Sequence, residues 1–198
     1  MHALIVVAHP LTDSLTHAVA AQIAAGVSQS GADNSAEIAD LAADGFDPRF
    51  GKADIAAFNL QAAFPADVIA EQQRVDAADA LVLVYPVYWW SMPALMKGWI
   101  DRVFNNGWAY EDADGRVIKK LQHLPVHLVA IGAADHGTWQ RHGYDVAMHT
   151  QVDHGIFDYC GAPVKSSTLL LQEQVENHLQ TAQTLGTQLF TSHRANAS

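Results

Sequence analysis

Three adjacent aromatic residues stand between two prolines in the segment Pro86-Val87-Tyr88-Trp89-Trp90-Ser91-Met92-Pro93. Adjacent side chains point in different directions, so the three rings cannot all enter one hydrophobic core. At least one ring should therefore face outward and offer a flat surface to a planar heterocycle, while backbone N–H groups address the polar edge of that heterocycle. For either tryptophan taken alone, packing under the following helix is an equally good interpretation.

A second group of polar residues precedes a predicted helix near the N-terminus, where Thr12, Ser14 and Thr16 follow His9. Unpaired backbone N–H groups and the helix dipole make such a position favourable for a phosphate. Taken alone, a hydroxyl at Thr12 or Ser14 is more typical of a simple helix N-cap. No G-x-G-x-x-G follows this strand and the chain has no G-x-x-x-x-G-K-[ST], which argues against a Rossmann or P-loop nucleotide site. A phosphate site and an aromatic platform together match the two ends of flavin mononucleotide.

The elements that must position these residues alternate between short apolar runs and longer segments of helical period, a pattern typical of a parallel sheet with crossover helices. The predicted strands are Ala3 to Ala8, Ser35 to Leu41, Ala80 to Tyr85, Val126 to Ile131 and Val164 to Leu171. The predicted helices are Leu15 to Gly31, Ala66 to Ala78, one starting near Pro93, Asp145 to Ile156, and Glu173 to about Ser192, before a loose tail from Arg194. Gly45 to Gly51 is expected to be an irregular connection, and Gly107 to Lys120 an exposed turn or hairpin.

These elements predict an α/β fold, a doubly wound five-stranded parallel sheet with helices on both faces and either of the two common strand orders. A length of 198 residues, against roughly 150 per domain, favours one domain over residues 1–198. Ligands of such sheets bind beyond the carboxyl ends of the strands, where the strand order reverses. The loops after the first and third strands, which carry the two groups above, are therefore the predicted site.

Composition excludes several other classes of function. The chain has 11 Lys and Arg against 21 Asp and Glu, a formal net charge of −10, so a nucleic-acid partner is not expected. The single cysteine, Cys160, cannot form an internal disulfide, and the opening residues lack the basic and long apolar regions of a secretory signal, so a cytoplasmic location is predicted. The histidines at 136, 142, 149 and 154 lack the i, i+4 spacing of a helical zinc site, so no metal is expected.

The chain also resembles a known family over most of its length up to about Gly161. The segments that carry the resemblance are VVAHPLTDSLTHA, AADALVLVYPVYWWSMPALMKGWIDRVFNNGWAY and GIFDYCG. They are similar to the NAD(P)H:quinone oxidoreductases of the flavodoxin-like superfold, which include the ancillary oxidoreductases of bacterial potassium-efflux systems. The most specific pattern, P-x-x-W-[WF]-x-x-P-A-x-[ML]-K-G-W-[IF]-[DE]-R-V-F, runs from Pro86 to Phe104. The resemblance implies a flavodoxin-like fold, FAD or alternatively FMN as cofactor, and a homodimer with flavins at the interface.

Carried over by position, the resemblance assigns roles to individual residues. It places the flavin phosphates and ribityl chain beside His9, Ser14, Leu15 and Thr16, and the ring beside Pro86, Val87, Tyr88, Trp89 and Trp90. It places Asp101 near the cofactor, and Trp108 and Tyr110 in a loop that covers the partner's substrate pocket. Family members often carry a Thr/Gly-rich turn after the fourth strand, followed by a tyrosine and a histidine that stabilise the reduced ring. Here the turn reads Ala130-Ile131-Gly132-Ala133-Ala134-Asp135, and the nearest catalytic candidates are His142 and Tyr144.

The favoured function is flavin-dependent, ping-pong hydride transfer from NAD(P)H to quinones or related acceptors, in which the cofactor supplies the difficult chemistry. Two alternatives stay open. One is a flavodoxin-like carrier of single electrons between proteins, and the other is a regulatory flavoprotein subunit that docks on a membrane potassium-efflux transporter. The acidic chain favours a basic face on such a partner. Cys160 and His127 are interpreted as a buried small residue and a hydrogen-bonded histidine of the sheet.

Overall fold

The computed structural model describes residues 1–113 and 115–190. In chain order the strands of the described part are β1 (His2–Val7), β2 (Ser35–Asp40), β3 (Ala80–Pro86), β4 (Tyr110–Ala113), β5 (Arg116–Lys119), β6 (Val126–Gly132) and β7 (Val164–Leu171). Five of them form a parallel sheet in the order β2-β1-β3-β6-β7. This is the flavodoxin-like one of the two predicted strand orders, with the reversal between β1 and β3. The predicted α/β fold is confirmed.

The helices lie on both faces of this sheet. They are α1 (Leu15–Gln29), α2 (Lys52–Phe58), α3 (Ala66–Asp76), α4 (Ala94–Val103), α5 (His136–His142), α6 (Tyr144–His149) and α7 (His178–Gln188). A π-helical segment (Thr150–Asp158) continues α6, and a 3-10 segment (Gln172–Asn177) precedes α7. The described helices include none that is both long and apolar enough to cross a bilayer.

The central strands are buried on both faces, which explains their continuous apolar sequence. Ile5 and Val7 of β1 pack in one core with α1 and α7, whereas Leu4 and Val6 pack in the other core with α4. Helices α1 and α7 approach closely through Gly26, where an added Cβ would lie 2.2 Å from a backbone oxygen of α7. This packing holds the N-terminal end of α1 at the carboxyl edge of the sheet.

The connection from Gly45 to Gly51, predicted to be irregular, leads into helix α2, which the sequence interpretation missed. The carboxylate of Asp54 on α2 accepts the backbone N–H of Gly51 (2.7 Å) and pairs with the guanidinium of Arg102 on α4 (2.9 Å). Both charged side chains are buried. A short helix of this kind depends on a partner 48 residues away, which no local pattern reveals.

Helical boundaries after β6 also differ from the prediction. Helix α5 was not predicted, and the helix expected over Asp145 to Ile156 begins at Tyr144 and becomes π-helical from Thr150. Asp135 caps α5 by accepting the N–H of Thr138 (2.7 Å), and Gly143 ends it with a φ of 67°. The predicted closing helix starts as the 3-10 segment before α7, and its predicted end near Ser192 lies outside the described residues, as do the tail and Asp114. The predicted hairpin is confirmed as the antiparallel pair β4 and β5.

Candidate functional site

Three loops meet at the carboxyl edge of the sheet, after β1, β3 and β6. The backbone N–H of Ala8 donates to the carbonyl of Val84 (3.4 Å), and that of Val87 donates to the carbonyl of Ile131 (2.8 Å). The three neighbouring strands thus stay paired up to the start of their loops. The loops after the first and third strands of the sheet, predicted as the site, are adjacent, and the loop after β6 joins them.

The loop after β1 ends in an ordinary helix N-cap. Ser14 has an extended backbone, and its hydroxyl oxygen accepts the N–H of His17 (3.3 Å). The imidazole Nδ1 of His9 accepts the N–H of Leu11 (3.1 Å), which braces the loop. Thr16 is buried, Leu15 is half-buried, and Thr12 is exposed. Ser14 therefore has the capping role that the sequence offered as the alternative, while the remaining first-turn N–H groups of α1 have no partner within the helix.

A chain of side chains connects this cap to β2. The Ser14 hydroxyl lies 2.8 Å from Nδ1 of His17, and Nε2 of His17 lies 2.8 Å from the carboxylate of Asp40. Burial alone would raise the pKa of Asp40, but hydrogen bonds from His17 and from the N–H groups of Ala43 and Ala42 outweigh burial and lower that pKa. The ionised Asp40 thus orients His17, which in turn orients the hydroxyl of Ser14.

The loop after β3 is a tight, strained turn. Tyr88 and Ser91 exchange two backbone hydrogen bonds of 3.0 and 3.2 Å around Trp89 and Trp90. The two tryptophans have φ angles of 50° and 64°, so both lie in the left-handed region that Gly, Asn and Asp usually occupy in such turns. Each left-handed non-glycine residue costs about 1–2 kcal/mol. The strain holds two adjacent indoles in fixed and opposite environments.

Those environments differ sharply. Trp89 is 93% exposed at the tip of the turn. Trp90 stacks on Tyr144 with 3.8 Å between ring centroids and 12° between planes, and meets Trp139 edge-on at 5.4 Å. His142 also stacks on Tyr144, at 5.3 Å and 24°. The two catalytic candidates therefore lie in one aromatic stack with the ring-binding candidate Trp90.

A cleft of about 210 Å³ opens beside this turn. Its lining residues come from the loop after β3, from the end of β6 and the loop that follows it, and from α5: Val87, Trp89, Trp90, Gly132, Ala133, Ala134 and Trp139. Sequence reasoning named the first three and missed Trp139. The missed signal was a tryptophan seven residues after the Gly132 that ends a buried strand, on a helix that was itself not predicted.

Three predicted residues lie elsewhere. Asp101 on α4 is exposed, pairs with Lys97 (2.6 Å) and lines a groove of about 340 Å³ that shares no residue with the cleft. Tyr110 lines the same groove, with its ring edge-on to Tyr159 at 5.1 Å. The indole N–H of Trp108 donates to the carboxylate of Asp76 in its own chain, 3.2 Å from each oxygen. The structure does not bring these three residues to the cleft within one chain.

Two other residues considered from the sequence, His127 and Cys160, are buried within the fold. Nδ1 of His127 lies 2.8 Å from the hydroxyl of Ser166, and burial lowers the pKa of His127 to about 4. Cys160 is buried, and burial raises the pKa of its thiol to about 11. An imidazole of such low basicity is a weak general base, and a thiol that stays protonated at neutral pH is a poor nucleophile.

The residues at this edge fit a flavin. A helix N-terminus with free N–H groups suits an anionic tail, a cleft walled by indoles suits a flat ring, and the buried indole N–H of Trp139 has no acceptor among the described residues.

Comparison with known proteins agrees with this geometry. A family described as having a flavodoxin-like fold matches residues 1–187. The glutathione-regulated potassium-efflux system ancillary protein KefF of Enterobacter sp. (strain 638) is 47% identical over 104 residues, which are 52% of this chain and 57% of that protein. The chain thus spans little more than half the length of that relative.

Two solved structures share the fold. The NAD(P)H:quinone oxidoreductase from Methanothermobacter marburgensis is 25% identical with a TM-score of 0.84, covering 96% of this chain and 98% of that one. An FMN-dependent NADH-azoreductase from Bacillus anthracis, solved in complex with FMN, is 15% identical with a TM-score of 0.73, covering 95% and 98%.

Proposed function

Since the chain belongs to the family with the flavodoxin-like fold, we propose that residues 1–198 form a single flavin-binding domain that acts as an NAD(P)H:quinone oxidoreductase. The observation that carries the proposal is that an aromatic cleft and the N-terminus of α1 lie at the same carboxyl edge of the sheet. The similarity to the NAD(P)H:quinone oxidoreductase from Methanothermobacter marburgensis over nearly the whole chain supports it. A cytoplasmic location, where NAD(P)H is formed and used, is part of the same proposal.

The loops after β1 and β3 would hold the two ends of the cofactor. His9, Ser14, Leu15 and Thr16 would surround its phosphates and ribityl chain, and the segment from Pro86 to Trp90 would contact its ring. FAD is the first choice from the sequence, and FMN is the alternative that the azoreductase complex supports. When bound, a flavin supplies the two-electron chemistry that the protein side chains lack.

The chain itself would orient the reactants and exclude water. Tyr144 and His142, which stack in line with Trp90, would buttress the ring wall. They would also be the residues that donate a proton or hydrogen bond during the reaction. NAD(P)H and quinone-like acceptors would use the same open face in turn. Such alternation predicts ping-pong kinetics, with parallel lines in double-reciprocal plots.

A homodimer would complete the site. The groove at α4 carries exposed aromatic residues, including Phe50, Phe58 and Tyr159, and Asp101 lies at its edge. Exposed aromatic rings around an apolar groove are typical of an interface. Pairing across this groove would bring Trp108 and Tyr110 of one protomer towards the substrate pocket of its partner.

The first test is the visible spectrum of the purified protein, followed by mass identification of any flavin released by heat. We expect a yellow protein, with FAD or FMN in about equimolar amount, that oxidises NADPH rapidly with menadione. A colourless protein that binds neither flavin in a calorimeter would overturn the proposal. Slow turnover with a blue semiquinone on titration would instead identify a carrier of single electrons.

A second function is proposed because the similarity to the ancillary protein of a potassium-efflux system reaches 47% identity. The protein would then dock on a membrane transporter and regulate it. Its net charge of −10 would favour a basic docking face. Co-purification with a potassium-efflux transporter in detergent, lost in 0.5 M salt, would support this function, and no complex at low salt would exclude it.

A further inference from the structure

Three polar side chains form a continuous line of hydrogen bonds at the start of α1. Nε2 of His17 lies 2.8 Å from the carboxylate oxygen Oδ2 of Asp40 on β2, and Nδ1 of His17 lies 2.8 Å from the hydroxyl of Ser14. The side chains of His17 and Asp40 are only 15% and 17% exposed. Water therefore competes little for these bonds, and the three residues themselves determine where the protons lie.

The position of each proton follows from the donors and acceptors. Ionised Asp40 only accepts, and its other oxygen, Oδ1, accepts the backbone N–H groups of Ala42 (3.1 Å) and Ala43 (3.2 Å). Neutral His17 therefore carries its single N–H on Nε2, which leaves a lone pair on Nδ1 to accept the hydroxyl proton of Ser14. The same hydroxyl oxygen accepts the backbone N–H of His17 (3.3 Å). In this state Ser14 has no proton left to donate to a ligand.

Protonation of His17 reverses the bond to Ser14. A charged imidazole carries an N–H on both nitrogens, so Nδ1 donates to the Ser14 oxygen instead of accepting from it. The hydroxyl proton of Ser14 is then free to donate to an anion at the N-terminus of α1, and the positive charge one hydrogen bond away adds to the attraction. Ser14 is half-buried, so its hydroxyl is within reach of a ligand at this edge of the sheet.

Few other charged or titratable groups act on His17. The imidazole of His9 lies edge-on to it, with 6.3 Å between ring centroids, and Asp13 of the same loop is exposed. Asp40 therefore stabilises a charged His17, and His9 opposes that charge only when it is itself protonated. Strand β3 carries no charged residue or histidine. The remaining ones on β1, β2 and α7 are bonded elsewhere: His2 with Ser35 (2.9 Å), Glu37 with Arg74 (2.7 Å), and His178 with the carbonyl of Leu171 (2.8 Å).

We propose that His17 is a positioning residue for the cofactor phosphate, which takes up a proton when the phosphate binds and thereby turns the Ser14 hydroxyl towards the anion. This inference rests on the proposed flavin site and adds a proton from solvent to its binding equilibrium. Asp40 makes that proton necessary, because it holds the N–H of neutral His17 on Nε2. Since an imidazole ordinarily titrates at about pH 6.5, FMN affinity should fall as the pH rises above that range.

The first test is calorimetric titration of the flavin-free protein with FMN and with riboflavin, which has the same ring and ribityl chain but no phosphate. Titrations at pH 7.5 in two buffers of different ionisation enthalpy give the number of protons taken up. For a coupling of about tenfold, we expect FMN to take up about 0.4 proton more than riboflavin. FMN affinity should then fall about fivefold from pH 6.5 to pH 8.5, while riboflavin affinity stays constant.

Two variants locate the proton. His17→Asn keeps a polar side chain beside Ser14 but cannot titrate, so the extra proton uptake and the pH dependence should disappear. In Asp40→Asn, the carbonyl oxygen still accepts the N–H groups of Ala42 and Ala43, so the amide NH₂ replaces Oδ2 and donates to Nε2 of His17. Neutral His17 then carries its N–H on Nδ1. This variant should bind FMN without the extra proton and, at pH 8.5, about fivefold more tightly than wild-type protein.

The outcomes separate the two proposals. If wild-type protein takes up no more protons with FMN than with riboflavin, the inference is wrong and the flavin site stands. Extra uptake that persists in His17→Asn or in Asp40→Asn also overturns it, because the proton then lies on another group. If neither FMN nor FAD binds to the wild-type protein, both proposals are wrong. His2→Asn, at the opposite edge of the sheet, is the matched control and should behave as wild type. Should either variant at 17 or 40 fail to fold, the other one and the wild-type comparison still decide.

Discussion

The loops after β1 and β3 lie side by side at one sheet edge, yet they are built in opposite ways. The first is held by side-chain hydrogen bonds, since Ser14 caps α1 and His17 and Asp40 support the cap. The second places two tryptophans in left-handed conformations, with one ring exposed and the other stacked. The loop with ordinary geometry suits an anionic tail, which many proteins bind with backbone N–H groups. The strained loop instead fixes one exposed and one stacked aromatic ring at adjacent positions.

Replacing Trp90 by alanine should have the largest effect, because it removes the stack on Tyr144 and the edge contact with Trp139. We expect the free energy of unfolding to fall by about 2 kcal/mol and FMN affinity to fall at least about tenfold. Chemical denaturation and FMN titration measure these changes. Trp89→Ala, in the same turn but at a 93% exposed position, is the matched control and should change stability by less than about 0.5 kcal/mol. Equal losses in both variants would show that the two rings do not differ in the way the contacts indicate.

Ser14→Ala tests the other loop. Loss of the N-cap should lower the free energy of unfolding by about 1 kcal/mol, and the same variant should weaken binding of the flavin phosphate. Thermal denaturation and FMN titration report the two effects. Ser28→Ala on the same helix, whose hydroxyl donates to the carbonyl of Ala24 on an exposed turn, is the control and should have little effect on either. A Ser14→Ala variant as stable as Ser28→Ala would contradict the capping role.

Comparing Trp89→Gly with Trp89→Ala measures the backbone strain in the aromatic turn, because the two variants lose nearly the same side-chain atoms. Glycine adopts a φ of 50° without strain, whereas alanine does not. Glycine also loses more backbone entropy on folding, so we expect the glycine variant to be the more stable of the two by only about 0.5 kcal/mol. The same pair at Leu11, an exposed residue of the other loop with no positive φ, should show the reverse order. An alanine variant more stable at both positions would mean that the turn stores no strain.

The smallest expected effect is on the titration of Asp40 and on stability at acid pH. In the folded protein the pKa of Asp40 is below its ordinary value. The ionised carboxylate therefore stabilises the fold at pH values above the usual carboxyl pKa, and this stabilisation is lost as the pH falls through the lowered pKa. His17→Ala removes one of the groups that lower it, so the titration of Asp40 should move to higher pH. Carbon NMR of the Asp40 carboxyl group measures the shift, and His9→Ala, whose ring bonds to Leu11 instead, should not reproduce it. An unchanged pKa of Asp40 in His17→Ala would show that His17 does not support this loop.

Local sequence patterns were sufficient for the sheet and for the position of the two loops. The continuous apolar runs at Ala3 to Ala8 and Ala80 to Tyr85 predicted central strands, and the hydroxyls before Leu15 predicted the start of α1. These features depend on residues near one another in the chain. Helix α2 and the packing of Trp139 depend on distant partners, Arg102 for the helix and Trp90 of the aromatic turn for Trp139, and local patterns contain neither.

The sequence by itself determined which residue types are available at the carboxyl edge: hydroxyls before one helix, and paired tryptophans between prolines. Only the tertiary structure decided that Ser14 is a cap held by His17 and Asp40, that Trp90 faces Tyr144 while Trp89 faces outward, and that Asp101 lines a different groove. The physical reason is that hydrophobic periodicity and capping preferences are short-range properties of the chain. The direction of a ring, the pairing of a buried donor and the sign of a φ angle are set by whatever the fold packs against them.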